Sequence, residues 1–288
     1  MEPIQYIIEN DRDLQWGLSV CSVGFQHVEA GAPYPPRHHA ENYLFNPKAG
    51  RILQEYQLLY IVRGRGSLKT ARGGEYVIEA GTMFLIFPGE WHSYQPDADT
   101  GWDEYWIGFK GSNIDRRVNA GFLTPEHPVY RVGHLDVAIS LFREAIRVAT
   151  RQESYFQQLL CGVVNHLLGL MFMTSINMDY QRESDVPELV RQAREWMQQS
   201  IEEDISMPDV ASAMNVSYTT FRRLFKRYTG LAPSQYFINL RLHRAKQLLR
   251  STDESIKEIS FRLHFENPEY FATLFKKRTG MTPSEFRQ

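Results

Sequence analysis

The segment FRRLFKRYTG, Phe221–Gly230, returns fifty residues later as FATLFKKRTG, Phe271–Gly280. In the first copy Phe221, Leu224, Phe225 and Tyr228 recur every three or four residues. On a helix these face a core, which turns Tyr218, Thr219, Arg222, Arg223 and Lys226 outward. An arginine fork can bond two atoms of a guanine edge, whereas the compact ammonium of Lys226 suits a phosphate. The second copy turns Glu269, Ala272, Thr273 and Lys276 outward and has no arginine on that face. Direct base reading is therefore expected mainly of the first copy, and phosphate anchoring of the second. Ser217 and Asn267 stand where each helix begins and read as its caps.

The first half holds a different chemistry. Trp91, Tyr94, Trp102, Tyr105 and Trp106 offer flat amphipathic rings near His92 and Glu104, with Arg51 upstream. Rings can stack on the C–H faces of a sugar while charged groups hydrogen-bond its hydroxyls. Glu104 and Trp106 share strand parity and so point to one side. The same rings would equally fill an ordinary small barrel, an alternative the sequence leaves open. A metal cofactor is not expected. His92 stands alone, and the adjacent His38 and His39 would point to opposite faces of a strand.

These residues need elements to hold them. Tyr56–Arg63, Glu75–Glu79, Met83–Phe87 and Glu104–Phe109 are strand-like, and Gly64, Gly66, Gly73, Gly74, Gly81, Pro88 and Gly89 are read as breaks between them. Short strands with frequent turns favour a small barrel or jelly roll. Helical periodicity follows at 134–150 and 153–174. The second of these helices carries Leu159, Leu160, Val163 and Leu167 on a stripe wide enough for the barrel and for a second copy of the chain. Residues 176–187 read as a polar linker between domains 1–175 and 188–288. In the latter, 207–228 and 256–278 each follow the helix-turn-helix plan, joined by one continuous helix from Pro233 to Leu249. The second turn is one residue longer than the first. The expected class is α+β, with a β-rich sensor unit followed by an all-α unit.

Charge separates the halves. Residues 1–186 hold 16 Lys/Arg against 22 Asp/Glu, while residues 187–288 hold 16 against 12. The basic excess thus coincides with the repeats, as a phosphate-binding surface requires. Two cysteines, Cys21 and Cys161, suggest no disulfide framework. The start MEPIQYIIENDRD has no basic-then-apolar leader, and no apolar run near eighteen residues is evident. A cytoplasmic protein without membrane contact is expected.

The FK-x-x-TG-x-x-P pattern at Phe225–Pro233 and Phe275–Pro283, with RLHRAKQLL between, resembles the DNA-binding domain of AraC/XylS transcription regulators. His264 stands where that family commonly has a glycine in the second turn, and Ser260 where it commonly has alanine. The run GTMFLIFPGEWHSY, Gly81–Tyr94, resembles the second motif of cupin barrels. The first half is similar to the sensor domain of the arabinose-regulator branch. That resemblance puts Arg51, Tyr94, Glu104 and Trp106 at sugar-contacting positions, with Glu104 in place of a histidine. It implies a non-enzymatic regulator of carbohydrate genes, with activation and repression both open. Its expected partners are promoter DNA, a small-molecule effector, RNA polymerase and a second copy joined through the 153–174 helix.

Overall fold

Residues 4–35, 46–181 and 186–288 are described by a computed structural model, in which the chain divides into two units, Met1–Met178 and Asp179–Gln288. The first unit begins with β1 (Gln5–Tyr6), α1 (Asp11–Gln15), β2 (Ser19–Val28) and β3 (Arg51–Ile52). The central strands are β4 (Tyr56–Thr70), β5 (Gly74–Glu79), β6 (Thr82–Ile86), β7 (Trp91–Pro96) and β8 (Trp102–Lys110). Then come α2 (Ser112–Asn119), β9 (Val129–Arg131), α3 (Asp136–Arg151) and α4 (Phe156–Gln181).

All strand pairings are antiparallel, and β4 takes part in two sheets. Its first part pairs with β6 and β8, and its second part with β5 and β7. By its sequence pattern this strand ends at Arg63, with Gly64 and Gly66 as breaks. Instead the glycines carry the strand from one sheet into the other. Gly64 has φ +85°, and a Cβ there would lie 2.1 Å from the Gly101 carbonyl oxygen. A Cβ on Gly66 would lie 2.3 Å from the Gln95 carbonyl oxygen, so only glycine permits this approach.

Side-chain parity along β4 builds two cores. Leu58 and Tyr60 join Tyr105, Ile107 and Phe109 of β8 beneath Phe142 of α3 and Leu160, Val164 and Leu167 of α4. Leu59 and Ile61 turn the other way, to Phe84, Ile86, Trp102 and Trp106, and meet Leu68, Ile78 and Tyr94 from the second sheet. The first sheet is thus buried on both faces. That is why LLYIV, residues 58–62, reads as an unbroken apolar run rather than an alternating one.

The chain does not leave helix α4 where residues 176–187 were read as a linker. The helix continues to Gln181, and the next begins at Val186. Polar residues alone do not end a helix, and no glycine or proline interrupts Ser175–Gln181. Over Phe156–Met178 α4 is long and apolar enough to cross a membrane, a length the sequence reading did not find. Its Leu160, Val164, Leu167 and Met171 are fully covered by the unit's own core.

The second unit is helical: α5 (Val186–Gln199), α6 (Met207–Ala213), α7 (Tyr218–Thr229), α8 (Pro233–Ser251), α9 (Ile256–Arg262), α10 (Pro268–Thr279) and α11 (Pro283–Arg287). The two Thr-Gly pairs end their helices by one device. Thr229 and Thr279 bond back to the carbonyls of Phe225 and Phe275, and Gly230 and Gly280 follow with φ of 77° and 83°. The turns also match. Val216 N–H bonds to Ala211 O at 3.1 Å and Phe265 N–H to Ser260 O at 3.0 Å, with left-handed Asn215 and His264 before them. His264, at φ +51°, takes the conformation in which glycine is cheapest.

Candidate ligand site and nucleic-acid interface

Arg51, His92 and Tyr94 come together on β3 and β7, where Arg51 is paired in register with His92. Arg51 Nη2 donates to the Tyr94 hydroxyl at 2.7 Å, and its Nε lies 3.3 Å from His92 Nε2. His92 Nδ1 is 3.1 Å from the Glu90 carbonyl oxygen. Burial and the Arg51 charge press the imidazole down to about 4, so it is neutral, donating from Nδ1 and accepting at Nε2. Both nitrogens are therefore spent. His92, a residue expected at the ligand, here supports Arg51.

Glu104 and Trp106 do share a face, as their parity requires. Glu104 is 3% exposed among apolar neighbours, and burial pushes its carboxyl up to about 8. The Tyr34 hydroxyl bonds both its oxygens, at 3.1 and 3.3 Å, and with Arg51 and the Trp102 indole N–H pulls the other way. The carboxyl therefore keeps its proton through neutral pH. Trp102 Nε1 is itself buried with no well-formed hydrogen bond among the described residues. Trp106 lies over Gly24, where a Cβ would come 2.5 Å from its ring. Tyr105 turns to the opposite core and stacks on Phe142 at 5.4 Å.

Sequence reasoning missed Tyr34, which packs edge-on against Trp102 at 5.8 Å and lies 6.1 Å from the Tyr94 ring. It sits outside any strand pattern, in APYPP, so periodicity could not find it. His38 and His39 lie outside the described residues. Among the described residues no group of three His, Cys, Asp or Glu side chains is placed to hold a metal ion.

In the second unit Tyr218, Thr219, Arg222, Arg223 and Lys226 are all exposed on α7, over the buried row Phe221, Leu224 and Phe225. On α10 Glu269, Thr273 and Lys276 are exposed over Phe271 and Phe275. Tyr270, also exposed there, was not foreseen. Ser217 and Asn267 have a structural task first. Their side-chain oxygens accept from Thr220 N at 3.2 Å and Tyr270 N at 2.7 Å, capping the two helices.

The four residues expected at a dimer contact separate. Leu160, Val163 and Leu167 are buried in the unit's own core, and Leu159 alone of the four is exposed. The sequence stripe was wide enough for two uses, and sheet packing takes the inner part. The outer face of α4 instead shows Leu159, Gly162, His166, Gly169, Met173 and Ile176.

The raised pKa of Glu104 fixes a pH dependence. Below its ordinary value near 4.5 the carboxyl is protonated in both folded and unfolded chains. Between there and about 8 only the folded chain keeps the proton, so stability must fall as pH rises. The slope is at most about 1.4 kcal/mol per pH unit and ends above the folded pKa. Denaturant titrations from pH 6.5 to 8, above the range in which the depressed His92 acts in the opposite sense, should show this fall in the wild type and its loss in Glu104→Gln. An equal slope in both proteins would contradict the buried acid.

A helix-turn-helix domain family matches residues 210–288, and a family described as an AraC-like ligand binding domain matches residues 31–160. The lactose operon transcription activator of Staphylococcus xylosus is 25% identical over 82% of this chain and 85% of its own. The arabinose operon regulatory protein of Escherichia coli is 27% identical over 82% and 81%. A solved AraC-type DNA-binding domain protein from Chromobacterium violaceum is 37% identical over 35% of this chain and 90% of its own, with a TM-score of 0.34. With an AraC-like ligand-binding domain and an AraC-type helix-turn-helix domain in one chain, the protein belongs to the AraC family of transcription regulators.

Proposed function

We propose that the chain is a cytoplasmic homodimeric regulator, not an enzyme, that binds promoter DNA through α7 and α10 and is controlled by a carbohydrate bound in the core shared by the two sheets. The observation that carries the effector reading is a linked polar group, buried Tyr94 and Glu104 with half-buried Tyr34 and Arg51, set against an otherwise apolar core. Buried polar groups cost stability unless each is satisfied, and a polyhydroxyl ligand offers both donors and acceptors to such a set. Relatives named for lactose and arabinose operons favour a sugar, and the name of the former favours activation, with RNA polymerase as the further partner. The ligand acts by binding one arrangement of the dimer better than another. Thermal-shift screening of mono- and oligosaccharides tests this. The active sugar should raise the Tm of the wild type, and Arg51→Met should abolish that rise. A panel without any shift counts against a carbohydrate effector.

The exposed row Leu159, Gly162, His166, Gly169, Met173 and Ile176 is spaced alternately by three and four residues, the repeat of a two-helix seam. This face of α4 is the proposed dimer contact. Sedimentation of Leu159→Glu/Met173→Glu should give monomers where the wild type gives dimers, and a dimer surviving both changes would exclude this face.

For DNA, α7 supplies base reading. Arg222→Ala or Arg223→Ala should weaken binding to the preferred duplex roughly 5- to 150-fold and relax choice at one base pair. Lys226→Ala should weaken all duplexes alike and lower the salt slope by about 1. Gel-shift titrations at two or more salt concentrations separate the two effects. Equal losses on preferred and random duplexes for the arginine variants would refute base reading by α7.

A further inference from the structure

The connection after α5 gathers contacts from both helix-turn-helix bundles. Arg241, near the middle of α8, is 9% exposed. It donates from Nε to the Ile201 carbonyl at 3.3 Å, from Nη2 to the Glu203 carbonyl at 2.8 Å and from Nη1 to the His264 carbonyl at 3.1 Å. Its guanidinium carbon lies 4.4 Å from the Phe237 ring centroid. Between the first two acceptors, Glu202 accepts from Arg244 Nε and Arg262 Nε, each at 2.8 Å, and its carbonyl oxygen lies 3.1 Å from His264 Nε2.

The acceptors lie on two segments that meet at a joint. Residues 201–203 connect α5 to α6, whose Met197 and Met207 lie in the core that holds Phe221 and Phe225 of α7, while Ile201 itself packs against the other core. His264 is the left-handed residue of the second turn, four positions before α10, whose Phe271 and Phe275 belong to a separate core. Helix α8 gives Phe237 to the first core and Leu242, Ala245, Leu248 and Leu249 to the second. Arg241 falls between these two sets. Carbonyl oxygens of the α5–α6 connection and of the second turn hold this buried cation by directed hydrogen bonds, and a lysine could not reach three acceptors that diverge in this way.

We propose that Arg241 is a positioning residue for two-part operator recognition, fixing the spacing and rotational phase at which α7 and α10 meet DNA. This rests on the DNA-binding reading given above. One base pair advances the duplex by about 3.4 Å, so a small displacement across the joint moves α10 out of step with its half-site.

The test is selection by full-length protein from a duplex pool randomised over about 40 base pairs, roughly four helical turns. The wild type should enrich two motifs at one spacing, and Arg222→Ala identifies the motif read by α7. Arg241→Lys should keep that motif and spread the second over several spacings. It should also bind the wild-type duplex about tenfold more weakly, while its affinity for a duplex carrying the first motif alone stays unchanged. One spacing with unchanged affinity in Arg241→Lys overturns the proposal. If that variant does not fold, Arg241→Gln decides, because its shorter neutral amide keeps a donor on α8 but cannot hold all three carbonyls. Its spacing should broaden, and a single spacing overturns the proposal. A wild type that enriches no motif overturns the DNA-binding reading and this inference with it.

Discussion

The first unit depends on one sheet being buried on both faces. Alternate residues of β4 feed two cores that never mix, Leu58 and Tyr60 toward the helices, Leu59 and Ile61 toward the second sheet. A register slip of one residue would exchange every one of them. The polar group around Glu104 and the inner stripe of α4 therefore lie on opposite sides of the same few strands. Tyr60 adds a polar tie, bonding Gly133 O at 2.8 Å and Leu135 N at 2.9 Å, which secures the chain entering α3. Nearby, the Gln157 amide bonds both backbone groups of Val20 and fastens α4 to β2. The wall of the interior and the support of the helices are thus one object.

Within that wall a carboxyl group is held where water is excluded. Its raised pKa follows from burial outweighing the help of Tyr34, Arg51 and Trp102. As a neutral acid Glu104 can both donate and accept a hydrogen bond, whereas a carboxylate only accepts. A histidine at this place would present one donor and one acceptor on a ring. The carboxylic acid carries its donor and acceptor on one carbon, at the end of a flexible stem.

The second unit was largely legible in the sequence. Helix periodicity, the caps Ser217 and Asn267, the Thr-Gly stops and the longer second turn all rest on local chemistry. So did the outward face of α7, because a helix with Phe221, Leu224 and Phe225 inside has no choice about Arg222 and Arg223. The first unit was harder. Gly64 and Gly66 look like breaks until a strand crosses between sheets, a matter of long-range pairing. The α4 stripe could serve a core or a partner, and only packing against the sheet divided Leu160 from Leu159. Tyr34 lay in a segment without periodicity, and its link to Glu104 spans 70 residues of sequence. Arg241 carried no sequence signal beyond its place in a helix, since its acceptors are backbone oxygens.

The two turns share the closing hydrogen bond and the left-handed residue up to Val216 and Phe265, at an offset of 49 residues, and the extra residue, Glu266, falls just before the cap Asn267. Each residue of a helix turns it by about 100°. Placing the insertion outside the helix lengthens the approach and leaves the buried row Phe271 and Phe275 in phase with the first copy. The duplicated units are consequently no longer exchangeable parts. Transplanting the shorter turn into the second position would force α10 either to unwind its first turn or to roll its aromatic row away from the core. The repeat is thereby asymmetric within one chain.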